Sequence, residues 1–281
     1  MTKGHVFLAQ NSDVDYIKQA YALALSIKIN NKEHNKTCLI TNNDVPEEYK
    51  KAFDTIVPIP WSDESQNSAW KIENRWKVIY ATPFEESIVY DTDMLLLTSN
   101  DHWWQHLERH DLYFTNNVTN YRGTVVTNDY YRKSFTQNNL ANVYTGAYYF
   151  KKVSNTYNFF KWLELIVQNW SKFYIEHLKN HQQSFCSLDV SAALALKFID
   201  KEHIYTSPNS VLTFTHMKPA IQDWKNIPLK WTSVVSSYMS EDCTLKVGNH
   251  QQHGLFHYVE EEFLENDFIL KLRNKYDRLG N

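Results

Sequence analysis

Asp91 and Asp93 stand two residues apart inside the run Ser87-Ile88-Val89-Tyr90-Asp91-Thr92-Asp93-Met94-Leu95-Leu96-Leu97. The apolar residues around them read as a strand, so the chain delivers two carboxylates together at a strand end and then continues. Carboxylate oxygens suit hard cations such as Mg²⁺ or Mn²⁺, which keep positions open for water or phosphate oxygens. A cation held there can receive a diphosphate, and a nucleotide-sugar is the matching candidate ligand. Taken alone, an Asp-x-Asp pair is a common turn and capping pattern. Its apolar flanks and the residues elsewhere in the chain give this pair a chemical reading.

The elements before the pair alternate between strand and helix signals. Residues 6–9 read as a strand, and 14–29 as an amphipathic helix with Ile17, Ala20, Tyr21, Ala24, Leu25 and Ile27 on its apolar side. A strand at 37–41, a short helix at 46–53, a strand at 55–58 and a helix at 72–81 lead to a strand at 88–97 that carries the acidic pair. Strands separated by helices predict an α/β fold, with a mostly parallel central sheet and helices on both faces. Ligands of such sheets bind beyond the carboxyl ends of the strands, which brings Gln10-Asn11 and Asp91-Thr92-Asp93 to one crevice.

Further along, 111–115 reads as a strand, 116–142 as a polar, Asn- and Tyr-rich insertion or lid, 143–150 as a strand and 155–168 as a helix. The last clear central helix is 188–199, with Asp189 at its start, where a carboxylate also suits the helix dipole. Beyond Tyr205 the pattern breaks into short strands and loops around His216 and His257. The expected organisation is one Rossmann-like domain over 1–259 with an irregular C-terminal part. A charged helical extension over 260–281 is expected to pack on the same domain.

Composition narrows the classes. A chain of 281 residues with 43% hydrophobic residues can build a large core, which argues against disorder. The net charge of -3 provides no global basic field for gripping nucleic acid through phosphates. Aromatic residues reach 15% with 18 Tyr and 9 Trp, rings that serve a core and also line sugar or base sites. Cys38, Cys186 and Cys243 are odd in number and far apart, which fits neither a disulfide framework nor a zinc site and suits a reducing compartment. With no signal-peptide pattern and no bilayer-length apolar stretch, a soluble, cytoplasmic protein without a transmembrane segment is expected.

The order of motifs resembles a family. A leading strand ends in Ala9-Gln10-Asn11 and is followed by a helix with Tyr16; Asn74-Arg75-Trp76-Lys77 lies one helix ahead of Tyr90-Asp91-Thr92-Asp93; then come Thr145-Gly146-Ala147-Tyr148-Tyr149-Phe150, Asp189 and a late histidine. Over roughly the first 200 residues the layout is similar to GT-A fold glycosyltransferases of glycosyltransferase family 8, such as glycogenin and the lipopolysaccharide galactosyltransferases. The resemblance implies that Asp91 and Asp93 hold Mn²⁺ or Mg²⁺ on the donor diphosphate, and that Ala9, Asn11 and Tyr16 line the base pocket. Arg75 then reaches the donor from a position where the family has lysine. Thr92 and Gly146 belong to the donor site, Thr145 stands where the family often has Asn or Asp near the sugar, and Asp189 matches a sugar-contacting aspartate. Val190 stands where a glutamine should follow.

The family's third metal ligand lies in a His-x-x-Gly-x-x-Lys-Pro-Trp motif that is not intact here. His216 has Lys218-Pro219 close behind but no Gly, whereas His257 sits in a strand-like Leu255-Phe256-His257-Tyr258. Spacing from Asp189 and the strand setting favour His257, with His216 as the alternative; Lys218 is then available to a phosphate as a point charge.

Glycosyl transfer needs charge neutralised on the leaving diphosphate while an oxocarbenium-like centre meets the acceptor. A metal with Arg75 and Lys218 suits the first task. The resemblance implies a hexosyl- or pentosyltransferase, with a UDP-sugar as the expected donor and retained configuration, for which Asp189 is the nominated carboxylate. A lid over 117–144 would exclude water. The acceptor stays open among a saccharide, a lipid-linked sugar, a protein or a hydroxylated base of phage-type DNA; a DNA acceptor calls for a basic strip, for which Arg122, Arg132 and Lys133 are the scattered candidates. The alternative from another class is a non-catalytic carbohydrate- or nucleotide-binding module.

Overall fold

The computed structural model describes residues 1–65, 71–126, 132–179, 185–207, 210–222, 224 and 230–280. β1 (Lys3–Leu8), β2 (Thr37–Ile40), β3 (Thr55–Val57) and β4 (Glu86–Tyr90) lie side by side in the order β4-β1-β2-β3, all parallel. Alternate residues of β1 enter opposite cores, Phe7 on one face of the sheet and Val6 and Leu8 on the other. Burial on both faces explains why β1, β2 and β4 read as apolar runs. The β1 to β2 crossover is the helix Tyr16–Asn30, whose Asp15 cap accepts from the Lys18 amide at 3.0 Å.

Two of the expected elements beside the acidic pair differ from the sequence reading. The helix expected at 72–81 is a 3₁₀ turn, Arg75–Lys77, running into the single α turn Val78–Ala81. Its start is held by side chains: Asn74 Nδ2 donates to Asp63 Oδ1 at 2.6 Å and to Gln10 Oε1 at 3.0 Å, and the buried Lys77 ammonium donates to the Ser62 carbonyl. The strand expected at 88–97 is two strands. β4 ends at Tyr90, and β5 (Met94–Leu96) belongs to a second sheet, so Asp91-Thr92-Asp93 is the crossing between sheets.

The first sheet is completed by β6 (Leu112–Thr115), β9 (Tyr144–Lys151) and β10 (Thr206–Ser207) in the order β10-β6-β9-β4-β1-β2-β3, where β9 runs antiparallel to both neighbours. The second sheet joins β5 to β15 (Leu255–His257), β11 (Phe214–His216), β7 (Val118–Thr119) and β8 (Val125–Val126). The stretch expected to be an irregular insertion thus contributes the β7–β8 hairpin and the short helix Lys133–Asn138. Residues 127–131 of the expected lid lie outside the described residues. β12 (Ser237–Met239), β13 (Leu245–Val247) and β14 (His250–Gln251) form a small antiparallel sheet.

The C-terminal helix Asn266–Arg278 buries Phe268, Leu272 and Tyr276, four residues apart each time, and packs against the helix Tyr16–Asn30. Arg273 pairs with Glu48 at 3.1 Å on its outer side. No helix among the described residues is long and apolar enough to cross a membrane.

A polar knot ties the far end of this sheet. His5 is fully buried; its Nε2 donates to the His34 carbonyl at 2.7 Å and its Nδ1 accepts from Tyr90 Oη at 3.0 Å, while Asn100 donates to Tyr90 Oη and receives Asn31 Nδ2 at 2.7 Å. This arrangement suits a neutral imidazole protonated on Nε2. Burial pulls the His5 pKa down from 6.5 to about 4. Because the unfolded chain binds the proton first, His5 contributes stability that is present above pH 6.5 and is lost as pH falls toward 4. Denaturant unfolding across that window should show a slope that His5→Gln reduces by up to about 1.4 kcal/mol per pH unit. An unchanged slope in the variant would assign the acid sensitivity to other groups.

Candidate active site

The Asp91-Thr92-Asp93 crossing is pinned from three sides. The Asp91 amide donates to the Gly146 carbonyl of β9 at 2.8 Å, the Tyr258 amide donates to the Asp93 carbonyl at 3.0 Å, and Thr92 Oγ1 donates to Gln19 Oε1 of the first helix at 3.0 Å. Gly146 has no side chain for a spatial reason. A Cβ there would stand 2.9 Å from the Met94 methyl and 3.4 Å from Asp91 Oδ2, so the glycine lets β9 approach the acidic pair.

Antiparallel pairing of β5 with β15 sets His257 opposite Met94, which brings the imidazole beside Asp93 with Nε2 to Oδ2 at 3.0 Å. Ligand atoms of Asp91, Asp93 and His257 all lie within 4.8 Å of one another. His216, the alternative histidine, is directly beside it: β11 and β15 run parallel with His216 and His257 in register, and their rings stack at 4.7 Å and 20°. His216 lies outside this three-residue cluster. Nδ1 of both rings is buried and has no hydrogen-bond partner among the described residues. Ring stacking therefore orients His257, where a metal-binding imidazole usually has a hydrogen bond on its second nitrogen.

Arg75, presented by the 3₁₀ turn, reaches Asp91 with Nη2 to Oδ1 at 3.2 Å. The two carboxylates consequently differ. For Asp91, burial raises the pKa against the opposing pull of Arg75, and the neighbouring Asp93 charge adds to the rise. For Asp93, burial acts in the same upward direction but the His257 imidazolium and its hydrogen bond outweigh it, leaving the carboxyl below the ordinary range. His257 shows the reciprocal effect: burial lowers its pKa, yet Asp93 carries it above the usual histidine value. Burial, with His257 and Lys218 nearby, pushes His216 well down and keeps it neutral.

Asp189 lies in the first turn of the helix Leu188–Phe198, but the cap is Ser187, whose side chain accepts from the Val190 amide. Asp189 turns its carboxylate to β9 instead. Oδ1 accepts from the Thr145 amide at 2.8 Å and from its hydroxyl at 2.5 Å, and Oδ2 pairs with Arg132 Nη1 at 2.6 Å. Burial would raise this carboxyl, but Arg132 and the Thr145 hydrogen bonds hold it below the ordinary range.

A cavity of about 490 Å³ joins these groups. Tyr16, Arg75, Asp91, Thr92, Asp93, Thr145, Gly146, Asp189, His216, Lys218 and His257 all line it. Ala9 and Asn11 are not on this wall. Ala9 is fully buried at the end of β1, and the Asn11 side chain ties the following loop, accepting from the Ile17 amide at 3.0 Å and donating to Asp15. Gln19 and Tyr144 also line the cavity; neither was singled out for the site from sequence, because both sit within apolar patterns. Arg132 stood out only as a scattered basic residue, and its partner is 57 positions away.

No family model matches this chain, and no curated protein matches it by sequence. Among solved structures, the galactosyltransferase LgtC in complex with donor and acceptor sugar analogs is similar with a TM-score of 0.54 at 11% identity, covering 98% of this chain and 95% of that one. The bifunctional glycosyltransferase WbbM in its apo form gives 0.50 at 11% identity, over 98% of this chain and 50% of WbbM. The apo glycosyltransferase GlyE of Streptococcus pneumoniae TIGR4 gives 0.48 at 13% identity over 99% of this chain, which spans 64% of GlyE. Likeness at such identities is likeness of fold, and the fold of this chain is the GT-A fold that LgtC also has.

Proposed function

We propose that this protein is a metal-dependent glycosyltransferase that moves a hexosyl or pentosyl group from a nucleotide-sugar, with a UDP-sugar as the expected donor, to an acceptor hydroxyl with retention of configuration. The convergence of Asp91, Asp93 and His257 on one cavity wall carries this reading. Two carboxylates and an imidazole fit Mn²⁺ or Mg²⁺ as a donor set. When bound, such a cation supplies charge neutralisation on the leaving diphosphate.

The chain's own groups divide the remaining work. Arg75 and Lys218 add positive charge on the cavity wall, where phosphate oxygens would gather negative charge as the glycosidic bond breaks. In this reading Asp189 and Thr145, both on the cavity wall, would take the sugar, and Tyr16 the nucleotide. With Thr145 and Arg132 already donating to both of its oxygens, Asp189 suits hydrogen bonding to a sugar hydroxyl. Glu260, Glu261 and Glu262 line the cavity together with Lys218 and Lys230, and Glu262 pairs with Lys230. Carboxylates there disfavour a phosphodiester backbone, so a saccharide, lipid-linked sugar or protein acceptor is the better reading than a base in DNA. Three free cysteines among the described residues fit a cytoplasmic setting.

Release of nucleotide from a panel of UDP-, GDP-, ADP- and CMP-sugars, with and without Mn²⁺, tests the function and separates it from a non-catalytic binding module. We expect one nucleotide class to be turned over, and excess chelator or Asp93→Ala to lower the rate by at least about 100-fold while the melting curve stays cooperative. Full turnover in chelator would remove the metal from the reading; no turnover by the wild type on the whole panel would remove the enzyme. Asp189→Asn is expected to depress kcat with little change in donor KM. A variant that only melts earlier, with normal turnover when folded, would make Asp189 a structural residue.

A further inference from the structure

Arg132 is held by more of its surroundings than a surface cation would be. Its side chain is only 5% exposed, and the guanidinium carbon lies 3.9 Å from the centroid of Phe135 and 4.0 Å from that of Tyr144. Aromatic faces of this kind favour a planar cation over a point charge. Nε donates to Asn142 Oδ1 and Nη2 to the Val143 carbonyl, which fixes the rotation of the plane. Nη1 is left directed at Asp189 Oδ2 at 2.6 Å.

The Asp189 carboxylate is correspondingly gripped at both ends, by Arg132 on one oxygen and by Thr145 of β9 on the other. Val190, the next residue on the helix, is buried in the core and offers no polar group. Arg132 itself is not on the cavity wall, whereas Asp189, Thr145 and Tyr144 are. Whatever Arg132 does for a ligand it does through them.

We propose that Arg132 is a positioning residue, which holds the Asp189 carboxylate against Thr145 in the one orientation that presents it to the donor sugar as a fixed hydrogen-bond acceptor. The proposal rests on the glycosyltransferase reading above. A lysine cannot reproduce it, because one ammonium cannot reach Asn142, Val143 and Asp189 from a single planar fork while also contacting both rings.

The test compares Arg132→Lys, Arg132→Gln and Asp189→Asn, alone and combined, on the same nucleotide-sugar panel with Mn²⁺, with melting curves taken in parallel. We expect the Arg132 variants that fold to lose about 100-fold in kcat with donor KM changed by less than about threefold, as a misplacement of about 1 Å of a group that orients the substrate does. Adding Asp189→Asn to either should lower the rate little further, because both changes disable one unit. A folded Arg132→Lys with wild-type kcat, losses that track only the folded fraction, or losses that multiply in the double variants would each overturn the proposal. If Arg132→Gln does not fold, Arg132→Lys, which keeps the charge, decides by the same readouts. A wild-type protein inactive on the whole panel would overturn the transferase reading and this proposal with it; an active wild type with an indifferent Arg132 overturns this proposal alone.

Discussion

Two carboxylates two residues apart repel one another, and the fold places a different nitrogen-bearing partner beside each. Arg75 stands at 3.2 Å from Asp91 and His257 at 3.0 Å from Asp93. These partners are far apart in the chain, one from a short turn before β4 and one from β15. Burial without them would force one acid to take up a proton. The surrounding architecture can be understood as what delivers them: the knot of Gln10, Asp63 and Asn74 sets the turn that presents Arg75, and the β5–β15 pairing presents His257.

The crossing between two sheets is what makes room for this. Had the run continued as a single strand past Tyr90, Asp91 and Asp93 would have shared one face of one sheet, with ladder hydrogen bonds occupying their backbone. By leaving the first sheet at Tyr90 and joining the second at Met94, the chain leaves three residues whose backbone is tied instead by Gly146 and Tyr258. Their side chains then face the cavity. Asp189 and Arg132 form a third pair, joined by Thr145, so Asp91, Asp93 and Asp189 each have a partner of their own. Removing one member of such a partly buried pair leaves the other uncompensated.

Much of the α/β plan was legible because it depends on periodicity. Apolar runs bounded by helices announced β1, β2 and β4, and the helix Tyr16–Asn30 was found within two residues at its start. Other elements were misjudged for identifiable reasons. The 72–81 stretch has helical spacing, but Asn74 and Lys77 spend their side chains on Asp63 and the Ser62 carbonyl and shorten it. The 88–97 run is equally apolar before and after its acids, so nothing local marks a change of sheet. Between the two histidines, spacing and strand setting favoured His257, and although His216 and His257 occupy matching register positions on neighbouring parallel strands, His257 is the one in the cluster with Asp91 and Asp93.

By itself the sequence determined which chemical groups are available and the local spacing that puts two carboxylates at a strand end, since both follow from residue type and from a period of two residues. Tertiary structure alone decided their partners. Arg132 meets Asp189 across 57 positions, and His257 rather than His216 lies beside Asp93 because β15 pairs antiparallel with β5. Such contacts arise from strand order and burial, in which every residue's environment depends on elements distant in the chain, and no short window of residues carries that information.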